Sequence, residues 1–204
     1  NTTSGAVDIT EANGATVSGT ASGSISITSN TGDITVGGDI TTSGNVSLTA
    51  TDGNLVYGSG TVSGNLVTLT AGAAAGDIGA STNRILTSAN TVSFVATGAG
   101  GVYVTESNSA YFYGSTGSGN IDIAAGNTLS LNGNIVTSGN VTLSTTDGSI
   151  YRNLGTVYGD LVVLDANGTN VSIDGPTLGT AFFTEANTVS FEATGGGSVY
   201  ITDT

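Results

Sequence analysis

Carboxylates and tyrosines are the side chains of this sequence that could catalyse a reaction or bind a ligand. The chain carries 15 Asp and Glu residues, seven tyrosines and only two basic residues, Arg84 and Arg152, with no His, Cys or Met. A pair of carboxylates can hydrolyse glycosides, and a cluster of them can bind Ca²⁺. The composition excludes imidazole and thiolate catalysis, lysine Schiff bases and zinc sites built from His or Cys.

The acidic residues do not form a catalytic or metal-binding pattern. The aspartates of the first 80 positions are scattered, and most of these five stand beside Gly: Asp8, Asp33, Asp39, Asp52 and Asp77. The repeated Thr-Asp-Gly phrases at 51–53 and 146–148 differ from the calcium-binding nonapeptide, so we interpret their Asp as turn residues. We therefore expect no enzymatic activity and no cofactor, with Ca²⁺ between stacked ends or neighbouring rods as the weaker alternative.

Charge and hydropathy exclude two classes of partner. The net charge is −13 although only 8% of residues are charged, and two arginines cannot form the basic stripe that nucleic acids or anionic membranes require. Hydrophobic residues make up 37% of the chain and there is one Pro, which favours an ordered fold over a disordered one. No run approaches the roughly 18–20 apolar residues that membrane insertion needs.

The sequence repeats itself over a long period. The phrase at 7–11, Val-Asp-Ile-Thr-Glu, returns as Val-Tyr-Val-Thr-Glu at 102–106 and as Val-Tyr-Ile-Thr-Asp at 199–203. We predict one continuous domain over 1–204, made of two four-coil units, 7–101 and 102–198, with a third unit beginning at 199. Since both ends fall inside the pattern, we expect other copies, or adjoining repeats of a longer chain, to continue it end to end.

Within each unit, apolar and polar residues alternate in short bursts, which is typical of half-buried β-strands. Three such bursts recur in the same order in every round, as in Ile25/Ile27, Ile34/Val36 and Ile40. The pattern predicts three short strands per coil, about 24 residues per coil and eight to nine coils. The predicted core includes Val46, Leu48, Leu55, Val92, Phe94, Phe112, Val141, Leu143, Ile150, Val189 and Phe191.

This fixed order of strands favours an all-β parallel β-helix, or β-solenoid. An antiparallel sandwich explains the alternation equally well, but not a three-strand order that survives duplication. Gly marks the corner after the first strand of nearly every round, where we expect tolerance of positive φ to matter. These predicted corners are Gly32, Gly53, Gly76, Gly100, Gly126, Gly148, Gly168 and Gly196.

The repeated phrases at 23–29, 44–50 and 139–145 resemble those of filamentous-haemagglutinin-like proteins, the bacterial surface proteins exported by two-partner secretion or as autotransporters. The resemblance extends over the whole chain and consists of its pattern of repeated phrases. It implies a right-handed parallel β-helix, an extracellular or cell-surface location and a role in adhesion or matrix building. The absence of Lys and of any secretion domain in this sequence sets it apart from that family.

Two outward-facing groups of side chains could bind a ligand. Ser26/Thr28, Ser47/Thr49 and Thr68/Thr70 form ranks of hydroxyls like those of ice-binding solenoids, but the ranks are broken in later coils, beginning at Ser93/Val95. Four tyrosines are predicted to face outward along one side, where they could contact another rod or stack on sugars. They are Tyr103, Tyr111, Tyr113 and Tyr200.

The sequence thus predicts a structural protein, the shaft of an extracellular or cell-surface fibre. The alternative is an adhesin segment whose outer faces bind glycans or a receptor, and an ice-binding solenoid is less favoured.

Overall fold

A computed structural model describes residues 5–175, 177 and 179–204 of the chain. The described residues form a β-solenoid of about nine turns, with equivalent positions roughly 21 residues apart, and contain no helix, hence none that could cross a membrane. The strands are β1 (Val7–Glu11), β2 (Ala15–Thr20), β3 (Ile25–Ser29), β4 (Ile34–Thr41), β5 (Val46–Ala50), β6 (Leu55–Ser59), β7 (Val62–Ala71), β8 (Ile85–Ala96), β9 (Val102–Glu106), β10 (Ala110–Ser115), β11 (Ile121–Ala125), β12 (Leu129–Val136), β13 (Val141–Thr145), β14 (Ile150–Leu154), β15 (Val157–Ala166), β16 (Ile173–Asp174), β17 (Phe182–Ala193) and β18 (Ile201–Asp203).

Every pairing between these strands is parallel, and backbone hydrogen bonds join each turn to the next along the rod axis. Five of the five-residue strands, β3, β5, β9, β11 and β13, alternate buried and half-buried residues, because successive side chains point to opposite faces of a strand. The predicted parallel β-helix is therefore confirmed, with turns shorter than the expected 24 residues. The buried side chains form one continuous apolar core through the rod.

The two units are rotated relative to each other. Val7, which begins the first unit, lies in a column of stacked strands that continues through Val46 and Val92 to Phe112. Val102, its equivalent in the second unit, lies in a different column, stacked between Ile78 and Ile121. Since two units occupy about nine turns, each occupies about four and a half rather than the predicted four.

The third unit returns to the side of the first. Val199 stacks on Ile173, and that column runs back through Ile150 and Leu129 to β10, which lies on Val92. Equivalent residues of neighbouring units therefore face opposite sides of the rod, while units two apart face the same side.

Because of this rotation, the predicted corner glycines of the two units lie in different columns of the rod. A Cβ on Gly53, Gly76 or Gly100 would lie less than 3.0 Å from the backbone of the glycine one turn earlier. The column that contains these glycines continues through Gly119 and Gly139 rather than through the predicted corners of the second unit. Gly126 and Gly148 crowd a different corner, against Ser107 and Asn127 respectively.

Positive φ accounts for only some of the predicted corners. The φ angle is positive at Gly32, Gly168 and Gly196, but none of the other five predicted corners has a positive φ. At Gly53, Gly76, Gly100, Gly126 and Gly148 the close approach of the neighbouring turn is what excludes a side chain. The physical reason differs from the one expected: the corners are glycine mainly because backbone stacks directly on backbone.

The phrase Thr-Ser-Gly-Asn, at 42–45 and 137–140, builds an equivalent corner in both units. The Thr137 hydroxyl donates to the Gly119 carbonyl at 2.7 Å and accepts the Gly139 N–H at 2.9 Å. Thr42 makes the same two contacts, with Gly23 and Gly44. The hydroxyl thus satisfies backbone groups that the turn leaves unpaired, so this repeated phrase has a structural role.

Candidate functional site

The two end faces of the rod expose apolar side chains whose equivalents are buried at the boundary between the units. Val92 and Phe94 are fully buried because β10 lies directly over them. In the last turn, Val189 is half-buried and the Phe191 residue is 56% exposed. The prediction that Val189 and Phe191 are core residues is therefore wrong for this chain, because no further strand of the described residues lies on them.

The other end face is exposed in the same way. Val7 is half-buried and Ile9 is 45% exposed, whereas the equivalents Val102 and Val104 are fully buried against the preceding turn. The remaining predicted core residues are buried: Val46, Leu48, Leu55, Val92, Phe94, Phe112, Val141, Leu143 and Ile150. Among the predicted core residues, only Val189 and Phe191, in the last turn, depart from the expected burial.

A buried carboxylate joins the first unit to the second. Glu106, at the end of β9, accepts the Thr87 hydroxyl at 2.8 Å and the Ala89 N–H at 3.0 Å, both from the last coil of the first unit. Its other oxygen accepts the Asn108 N–H at 3.2 Å. One carboxylate thus satisfies donors on both sides of the boundary, and neither the repeated phrase nor its spacing predicted this role.

The same contact recurs where the third unit begins. Asp203 accepts the Thr184 hydroxyl at 2.7 Å and the Ala186 N–H at 3.1 Å, and these residues are the equivalents of Thr87 and Ala89. In the first unit the equivalent of Glu106 is Glu11, which is exposed and accepts the N–H of Ala12. The carboxylate is therefore a regular part of the boundary between units.

We expect Glu106 to make stability depend on pH. Burial raises the pKa of its carboxyl above the ordinary value of 4.5, although the hydrogen bonds from Thr87 and the backbone oppose the rise. A raised folded-state pKa favours the protonated form, so this contribution is fully present below pH 4.5 and is lost as pH rises through the folded-state pKa. Each unit of increase corresponds to about 1.4 kcal/mol.

The measurement is the free energy of unfolding between pH 4 and pH 8, for the native chain and for Glu106→Gln. The native chain should lose stability relative to the variant as pH rises, because Gln does not titrate. Parallel curves would show that Glu106 has the same pKa in the folded and unfolded chains.

Arg84 also crosses the boundary. Its guanidinium bonds to the Thr105 hydroxyl and the Val104 carbonyl of the next turn, and forms an ion pair of 2.7 Å with Asp122 of the turn after that. Three successive turns are thereby tied together by one side chain. The second unit has Ala181 at the equivalent position, so this tie is made at one boundary only.

The four predicted tyrosines do not form one strip. Tyr103 is half-buried and pairs with Asp122, whereas Tyr200 lies about half a turn away, beside Asp174. The half-turn rotation explains the separation, because Tyr103 and Tyr200 are equivalent residues of neighbouring units. Tyr111 is 43% exposed in the same column as Tyr200, and Tyr113 is half-buried two residues further along its strand.

The hydroxyl ranks stack for three turns and then end. Thr28, Thr49 and Thr70 are in register, but Val95 takes the next position and is 41% exposed. The described residues contain no group of three or more His, Cys, Asp or Glu placed to hold a metal ion. Several Asp residues instead bridge turns, as where Asp33 accepts the N–H of Asn54 at 2.8 Å.

No protein family, curated protein or solved structure matches this chain. The resemblance to filamentous-haemagglutinin-like proteins therefore rests on the repeated phrases of the sequence.

Proposed function

We propose that the chain is a stretch of the shaft of an extracellular or cell-surface fibre, in which unit follows unit along one rod. The observation that carries this proposal is the boundary at 102–106. At this boundary the second unit directly continues the first. The apolar end of the first unit is covered by the next strand, and the carboxylate of Glu106 accepts hydrogen bonds from Thr87 and Ala89.

Each end face of the rod corresponds to one side of that boundary. The half-buried Val189 and the exposed Phe191 occupy the places of Val92 and Phe94, which a following unit would cover. The exposed Ile9 and Glu11 occupy the places of Val104 and Glu106, which would lie on a preceding unit. The shaft is continued covalently in a longer chain or by other copies stacked end to end.

The mechanism of such a shaft is mechanical. Its backbone hydrogen bonds run along the rod axis and its core is continuous, so stretching must break whole inter-turn ladders. Each turn contacts mainly its neighbours, so stability grows with the number of turns. At roughly 4.8 Å per turn, two units add about 43 Å of length.

The location and role are tested on intact cells of the source organism. An antibody raised against residues 102–198 should label unpermeabilised cells, and immunogold particles should follow filaments that extend from them. Label that appears only after permeabilisation, or that is confined to compact particles, would contradict the proposal.

A further inference from the structure

The two end faces of the rod have complementary shapes. At one end an apolar groove of about 140 Å³, the Gly19 groove, opens beside Gly19. Its apolar walls are Val7, Ile9, Ile25, Ile27 and Ile40. At the other end the side chain of Phe191 is exposed. Since an apolar cavity of roughly 150 Å³ accepts one benzene-sized ring, the groove matches a phenylalanine side chain in size.

The internal boundary between the units shows what fills such a groove. Gly114 is the equivalent of Gly19, and a Cβ on Gly114 would lie 2.6 Å from a ring atom of Phe94. The Phe94 ring therefore packs directly against that glycine. A Cβ on Gly19 would meet no described atom within 4 Å. Because Phe191 is the equivalent of Phe94, the side chain that fits the Gly19 groove is Phe191 of another copy of the chain.

The backbone at the two end faces is complementary as well. Among the described residues, no strand lies on positions 188–192 of β17. The equivalent stretch of β8, positions 91–95, pairs with β10 residue for residue. Strand β2 is the equivalent of β10 and pairs on one side only, with β4, within the described part of the chain. In the register of the internal boundary, β2 of a second copy lies on β17 with Gly19 over Phe191.

This arrangement requires one strand to leave. Strand β18 lies on positions 182–184 of β17, as β9 lies on the equivalent positions 85–87 of β8. Strands β1 and β18 are equivalent segments of the repeat. A second copy with its β2 on β17 therefore places its own β1 where β18 already lies.

Side-chain hydrogen bonds decide which strand stays. The carboxylate of Asp203 in β18 accepts the Thr184 hydroxyl and the Ala186 N–H of the turn below. The equivalent carboxylate in β1, that of Glu11, accepts the N–H of the adjacent Ala12. Strand β18 is thus bonded to the neighbouring turn through a contact of the kind that joins the two units, so β1 of the second copy is the strand that is released.

The exchange preserves the hydrogen bonds of the strand that is replaced. In the free rod, β1 pairs with β3, with Thr10 opposite Thr28. After the exchange, β18 of the first copy pairs with β3 of the second in the same register, with Thr202 opposite Thr28. The joined copies gain the ladder between β17 and β2, and both apolar end faces are buried.

We propose that two copies of this chain join end to end by strand exchange. Phe191 of one copy enters the Gly19 groove of the next, and β18 of the first copy replaces β1 of the second. The proposal rests on the shaft function and names a second copy of the chain as the partner of the exposed end face.

Disulfide cross-linking tests the join. The native chain has no Cys, so an introduced pair reports only on itself. Ser18 and Ser190 are exposed at opposite ends of one copy, but across the join they are in register, as their equivalents Tyr113 and Ser93 are at the internal boundary. Neighbouring strands are about 4.8 Å apart, within reach of a disulfide.

With Ser18→Cys and Ser190→Cys in one chain, oxidised glutathione should give a ladder of linked dimers, trimers and longer species on a denaturing gel. Each single variant should give dimers at most. Absence of the ladder overturns the proposal. If the ladder is absent while a tandem chain still forms one longer rod, end-to-end joining of separate copies is wrong and the shaft function stands.

A second pair tests the strand exchange itself. Thr28→Cys and Thr202→Cys should also link copies, because Thr202 comes opposite Thr28 only where β18 has replaced β1. A ladder with the first pair and none with the second would overturn the exchange.

The role of Phe191 is tested in the chain that carries the first pair of cysteines. Phe191→Ser should slow cross-linking about tenfold or more, because burial of a phenylalanine side chain contributes at least that factor to an association constant. Leu154→Ser is the matched control, since Leu154 is equally exposed but lies on the side of the rod, and it should leave the rate unchanged. Both variants should melt as the parent does, because both side chains are exposed. Equal cross-linking rates for the two variants would overturn the proposal.

Discussion

Val141→Asp and Ile150→Asp should each destroy the folded rod under conditions in which the native chain is stable. Both side chains are fully buried in the continuous core, and each is stacked between neighbours in the turns before and after. An aspartate there has no partner for its charge. The expected cost is about 5 kcal/mol or more, comparable to the total stability of many domains.

Circular dichroism and thermal unfolding measure the effect. We expect the chain to be unfolded, or to melt far below the native chain with a reduced β signal. The matched pair in the first unit is Leu48→Asp, which buries the charge, and Thr49→Asp, which places it on the outer face between Thr28 and Thr70. If Leu48→Asp and Thr49→Asp melted alike, the inward register described here would be wrong.

Gly119→Ala should destabilise the rod strongly although it adds a single methyl group. A Cβ at this position would overlap the carbonyl of Gly100 in the turn below, and backbone cannot move aside as a side chain can. We expect a loss of about 2–4 kcal/mol, within the range of severe packing strain.

The control for Gly119→Ala is Gly38→Ala, where the nearest atom is the side-chain Cβ of Ser18 at 3.1 Å. Urea titration should give a small change for Gly38→Ala and a midpoint far below the native value for Gly119→Ala. Equal midpoints for the two variants would contradict the stacking of backbone on backbone at the corners.

The local structure follows from the sequence because alternation is a property of each strand. Val141 and Leu143 point inward whichever strand lies beneath them, so their burial could be predicted from residues 141–145 alone. Phe191 has the same inward orientation, but burial also requires a strand above it. Whether such a strand is present depends on the neighbouring turn, so the residues of the strand itself do not predict it.

The rotation between units could not be predicted for a related reason. Alternation does not state which earlier strand a new strand stacks on, and the turns differ in length. Val7 stacks on Ile25, 18 positions on, whereas Val162 stacks on Val189, 27 positions on. With such variation, a repeat of about 96 residues is compatible with four turns or with four and a half.

The predicted strip of tyrosines fails for the same reason. Tyr103 and Tyr200 are equivalent residues of neighbouring units, and the rotation of about half a turn places them in different columns of the rod. The alternation within each strand predicts that a tyrosine faces outward, but not which side of the rod it faces.

The central claim, that unit continues unit in one rod, is tested most directly by lengthening the chain. A tandem chain in which residues 7–198 occur twice, followed by 199–204, keeps the register because Val199 occupies the place of Val7. Small-angle X-ray scattering should show a rod of unchanged cross-section whose length rises from about 43 Å to about 86 Å. A wider particle, or two rods joined by a flexible link, would contradict the account.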